Sequence, residues 1–83
     1  MKQVSFEGKA FEDFTNWATQ DKKIYTKIIT LIKDINRNSF VGLGKPEALK
    51  HQLKGYWSRR ITDEHRLVYK VTETSIIIAS CKY

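Results

Sequence analysis

Eighty-three residues leave room for one domain with a modest core, and chains of this size often draw stability from a partner or an oligomer. The apolar fraction of 41% and the aromatic fraction of 12% speak against disorder, no apolar run reaches the ~18 residues of a membrane span, and the amino end lacks a signal-peptide core. Fifteen Lys and Arg against nine Asp and Glu leave a formal charge of +6, which favours polyanions, while the lone Cys81 fits a reducing cytoplasm.

In chain order, Gln3-Val4-Ser5-Phe6 alternates polar and apolar as a short edge strand does. Phe11, Phe14, Trp17 and Ala18 then fall on one helical face, between Gly8 and a polar break at Thr19-Gln20. Asp21 reads as the N-cap of a longer helix in which Ile24, Ile28, Leu31, Ile32 and Ile35 recur at helical spacing. Asn36-Arg37-Asn38-Ser39 ends that helix, and Gly42-Leu43-Gly44-Lys45-Pro46 is loop by composition. Residues 56–61, 66–71 and 75–83 are rich in aromatic and β-branched side chains and read as strands, separated by the short polar segments 62–65 and 72–74. The expected fold class is α+β. An N-terminal strand and a helical hairpin pack on a twisted antiparallel sheet, in the order β-α-α-β-β-β, as a single domain over residues 1–83.

The charge excess is localised. Residues 44–70 hold seven basic residues against three acidic ones, so +4 of the net +6 lies in a third of the chain. Side chains alternate along a strand, so with Leu67, Tyr69 and Val71 inward, Arg66, Val68 and Lys70 point outward. With Trp57 and Ile61 inward, Tyr56, Ser58 and Arg60 point outward, whereas Arg59 shares the inward parity and reads as lying near an edge or bulge. Arg60 and Arg66 on neighbouring strands would form a phosphate clamp. The alternative is that both pair with Asp63, Glu64 or Glu73 on a solvated face.

No metal-ligand spacing, nucleotide-binding glycine loop or other cofactor motif is present, so the expected chemistry is metal-free acid–base work. On RNA that means attack of a ribose 2′-hydroxyl on the adjacent phosphorus. Glu47, just after Lys45-Pro46, is a candidate base, and Arg66 a candidate stabiliser of the phosphorane charge. His51 and His65 have the side chain for proton transfer, but a lone histidine in a basic segment is more often structural.

Three segments carry a resemblance. They are Gly44-Lys45-Pro46-Glu47-Ala48-Leu49-Lys50-His51, Gly55-Tyr56-Trp57-Ser58-Arg59-Arg60-Ile61 and Glu64-His65-Arg66-Leu67-Val68-Tyr69. Together they resemble the signature of YoeB-type toxins of the RelE/ParE superfamily, and the likeness extends over essentially the whole chain. It implies a RelE-like fold and a ribosome-dependent endoribonuclease that cuts mRNA in the A site of the 70S ribosome and halts translation in the cytoplasm. It further implies a cognate YefM-type antitoxin and a tendency to form homodimers. By position the family's base falls on Glu47, its phosphate-stabilising arginine on Arg66 and its basic contacts on Lys50 and Arg60. Lys54 and Arg59 complete the expected phosphate-binding set.

The resemblance has one departure. YoeB-type chains usually continue with His-Tyr after a Cys-Lys/Arg-Tyr step, and that histidine serves as general acid, whereas this sequence stops at Tyr83. Tyr83 is therefore a candidate C-terminal contributor to the site, and a catalytically crippled form that only binds ribosome and antitoxin is one alternative. A ParE-like gyrase inhibitor on the same fold is another, and a plain basic RNA-binding domain a third.

Overall fold

Two helices and five strands are built over residues 2–83, the part of the chain that the computed structural model describes. Strand β1 (Gln3–Phe6) leads into helix α1 (Ala10–Gln20), and helix α2 (Lys22–Arg37) follows after one residue. That residue is Asp21. Its extended backbone breaks the helix, and its carboxylate accepts from the Lys23 and Ile24 amides at 3.1 and 3.3 Å, capping α2. Loss of such a cap costs about 1 kcal/mol.

The rest of the chain is sheet. Strands β2 (Glu47–Ala48), β3 (Trp57–Arg60), β4 (Arg66–Val71) and β5 (Ser75–Ser80) pair antiparallel in succession, with a short 3-10 turn at His51–Leu53 between β2 and β3. The sheet order is β1-β5-β4-β3-β2, and β1 joins the edge parallel to β5. The expected α+β arrangement thus holds, with two additions. Alternation in 3–6 reveals a strand but not its direction, and two-residue β2 is too short to leave a periodic signal.

One face of the sheet is covered. Leu67, Tyr69, Ile76 and Ile78 are fully buried there, packed against Ile28, Leu31 and Ile35 of α2. Trp17 of α1 donates its indole N–H to the Cys81 carbonyl at 3.1 Å. Phe6, Phe14 and Tyr25 stack in succession, with centroids 5.3 and 4.9 Å apart. The sheet's other face is left to solvent by the helices and carries the residues described next.

Candidate functional site

The loop before β2 aims Glu47. Gly44 and Lys45 adopt positive φ (78° and 51°), and the Gly44 carbonyl accepts from the Arg60 amide at 2.6 Å. A Cβ at Gly44 would sit 2.9 Å from the Arg60 carbonyl oxygen, so only glycine lets the loop press this closely on β3. Pro46 then restores extended backbone, and β2 pairs with β3 so that Glu47 stands directly opposite Ser58. The pairing continues past β2, where the Leu49 amide donates to the Tyr56 carbonyl at 2.9 Å.

Across the open face one row runs Glu47, Ser58, Val68, Ser80 over four strands. One step along, Arg60 and Arg66 are cross-strand partners. By strand spacing, Glu47 and Arg66 lie about 10 Å apart across the sheet and ~7 Å along it, on the same face. Like charges directly opposite each other disfavour the sheet. Among the described residues, neither Arg60 nor Arg66 meets a carboxylate within ion-pairing distance, so the solvated-pair alternative is not what the fold builds. Two guanidiniums held in register without counter-charge concentrate positive charge on the open face. Lys50 and Lys54 bracket the 3-10 turn, both exposed.

At the other end of the face, Tyr56 lies across the sheet, with the Lys70 ammonium 5.5 Å from its ring centroid. Its hydroxyl donates to Glu7 at 3.3 Å, and that carboxylate pushes the phenol above its usual pKa.

Arg59 is a correction. Expected among the phosphate contacts and near an edge or bulge, it is instead wholly buried, and all its donors are engaged. Nε donates to the Tyr69 hydroxyl at 3.2 Å. One terminal nitrogen donates to the Asp34 carboxylate and the Leu43 carbonyl, the other to the Asn38 and Val41 carbonyls. The Leu43 amide, donating at 3.0 Å, and the Arg59 guanidinium together hold the Asp34 carboxyl below its usual range. Burial pushes the Tyr69 phenol up, and its hydroxyl donates to the Ser39 carbonyl at 2.8 Å. Arg59 therefore fastens residues 38–43 to α2 and β3, and so anchors the loop that delivers Glu47. The inward parity of Arg59 was the signal for this, and Asp34 at the margin of the α2 stripe was its complement.

His65 and Tyr83 close the other side. The Tyr83 amide donates to His65 Nδ1 at 2.9 Å, and their ring centroids are 5.1 Å apart. His65 is buried with its ring edge-on to Trp17 (4.9 Å), a packing role, while His51 is exposed. Tyr83 itself is 69% exposed and lies against His65, the residue before β4 begins.

A family model described as the YoeB-like toxin of bacterial type II toxin–antitoxin systems matches residues 6–83. The chain belongs to this family. It is 56% identical to the toxin YoeB of Escherichia coli K12 over 75 residues, which cover 90% of this chain and 89% of that one. A Staphylococcus aureus YoeB solved in a heterotetrameric YoeB–YefM complex superposes with a TM-score of 0.94 at 51% identity, covering 100% of this chain and 97% of that one. A YoeB dimer from the same organism gives 0.93 at 52% identity, with 99% and 95% covered. The YoeB family assignment and the RelE-like α+β fold expected from the sequence are thus shown. Among the described residues no helix is long and apolar enough to cross a membrane.

Proposed function

We propose that the chain is an mRNA endonuclease acting on the 70S ribosome in the cytoplasm, with Glu47 as general base and Arg66 as the stabiliser of transition-state charge. The observation that carries this reading is the placement of Glu47 on the same open sheet face as the unneutralised Arg60–Arg66 pair. Glu47 takes the proton of a ribose 2′-hydroxyl, and the 2′ oxygen attacks the adjacent phosphorus. Arg66 meets the phosphorane charge and Arg60 holds a non-bridging oxygen. Lys50 and Lys54 neutralise neighbouring phosphates. The bond to the 5′ oxygen breaks, leaving a 2′,3′-cyclic phosphate, and that oxygen takes up a proton. The YoeB-type resemblance gives this last proton to a histidine that follows the position of Tyr83. The Tyr83–His65 contact, which fixes residue 83 at the entry to the strand that starts with Arg66, supports a site contribution from that end of the chain.

The Staphylococcus aureus YoeB–YefM complexes and YoeB dimer support a YefM-type antitoxin and a homodimer as partners of this chain. Such an antitoxin would neutralise the toxin by covering the open face. The test is cleavage of mRNA on programmed ribosomes, run with the chain and with a version extended by His-Tyr, against free mRNA as control. Cutting confined to ribosome-bound message is expected from at least one form. Intact message with both would overturn the enzymatic reading.

A further inference from the structure

Ser58 carries the one buried side-chain polar atom among the described residues that has no hydrogen-bond partner. The residue is 1% exposed, yet it stands on the sheet face that the helices leave open. A hydroxyl withdrawn from water and left unbonded weakens a fold, and alanine would fill the same place without that cost. The oxygen is shut off from solvent, so no free ligand reaches it. Only its neighbours do. On this face they are Glu47 across one strand and Val68 across the other, with Tyr56 and Arg60 two residues away along β3. Val68 is apolar, the Tyr56 hydroxyl is drawn away across the sheet to Glu7, and Arg60 has no lone pair to accept with. Glu47 is the sole acceptor side chain opposite, at a cross-strand Cβ separation of about 5 Å, and it is exposed and free to change rotamer.

We infer that Ser58 is a positioning residue for Glu47. Its hydroxyl donates to one carboxylate oxygen when bound RNA turns that side chain down onto the sheet, which aims the other oxygen at the ribose 2′-hydroxyl. The inference rests on the reading of Glu47 as base. A hydrogen bond made only in the reacting complex raises kcat rather than binding, and this accounts for a hydroxyl kept idle in the free protein.

The experiment measures kcat and KM on programmed ribosomes for the cutting form of the protein, then for Ser58→Ala, Ser58→Thr, Glu47→Gln and the double variant S58A/E47Q. Ser58→Ala is expected to lower kcat about 10- to 100-fold at unchanged KM, the size of one hydrogen bond to a charged group. Its melting temperature should be unchanged or higher. Ser58→Thr, which keeps the hydroxyl, should recover most of the rate. On the E47Q background the alanine should cost little more, because the two side chains act as a unit. A Ser58→Ala protein that cuts as fast as its parent, or that loses kcat, KM and melting temperature together, overturns the role of Ser58 alone. So does a full additive loss in the double variant. A parent that leaves ribosome-bound mRNA whole in both forms overturns the base reading, and the Ser58 role with it.

Discussion

The Arg59 guanidinium, wholly buried, is ion-paired with Asp34 of α2 while its other donors hold the carbonyls of Asn38, Val41 and Leu43. Breaking a buried pair by removing one partner strands the other charge and costs about 3–5 kcal/mol. Asp34→Ala is therefore expected to lower the urea midpoint by a large fraction of the stability of so small a protein. It should also free residues 38–43, read as faster amide exchange there than in β4. Equal protection in that loop would show that it stands without the pair.

The same pair sets a pH dependence. The folded-state pKa of Asp34 is lowered, first by the Leu43 amide and then by Arg59, so the unfolded chain takes up the proton at higher pH than the folded one does. The sign follows: the contribution is fully present above the unfolded pKa of about 3.9 and is lost as pH falls through the lower folded value. Unfolding free energies of the parent and Asp34→Asn, measured from pH 7 to pH 3, should differ most at neutral pH and converge below about pH 4. A constant gap would place the effect elsewhere.

How far the sequence speaks depends on which residue is asked. The α2 stripe and the Asp21 cap were legible because helical spacing and capping chemistry are local. The open-face placement of Arg60 and Arg66 was legible too, since parity needs only one secure inward neighbour. Arg59 was misread because a charge at inward parity suggests an edge, and the partner that makes burial tolerable lies 25 positions earlier in the chain. The orphaned Ser58 hydroxyl was invisible for a related reason. Burial on an uncovered face depends on the length of the flanking side chains, and no period in the sequence records that.

Burial also decides the behaviour of Cys81. It pushes the thiol up to about 11, with Asp13 adding a smaller push in the same direction. Thiolate is the reactive species, so native protein at pH 8 should resist alkylation, whereas urea-unfolded chain should react at the rate of a free cysteine. Rapid labelling of native protein would mean that the carboxy-terminal segment opens.

Arg66 and Glu47 should divide the loss of rate between charge stabilisation and proton transfer. Arg66→Ala is expected to lower kcat about 10²- to 10³-fold. Glu47→Gln should lower it about 10²- to 10⁴-fold. Neither should lower the melting temperature, because Glu47 is exposed and Arg66 faces a like charge in Arg60. Retained cutting with either variant would remove that residue from the mechanism.

Salt separates the phosphate contacts from the buried arginine. If Lys50, Lys54, Arg60 and Arg66 each neutralise one phosphate, log K for ribosome binding should fall against log salt with a slope of about −3, using ~0.7 released counterions per contact for single strands. Replacing any one of the four by alanine should flatten the slope by about 0.7. Disturbing Arg59 through Asp34→Asn should leave the slope as it is, because a guanidinium with every donor bound inside the protein has none to offer a phosphate. Binding measured by fluorescence anisotropy between 50 and 300 mM KCl reads both outcomes. A slope that flattens in Asp34→Asn as it does in Arg60→Ala would return Arg59 to the contact surface.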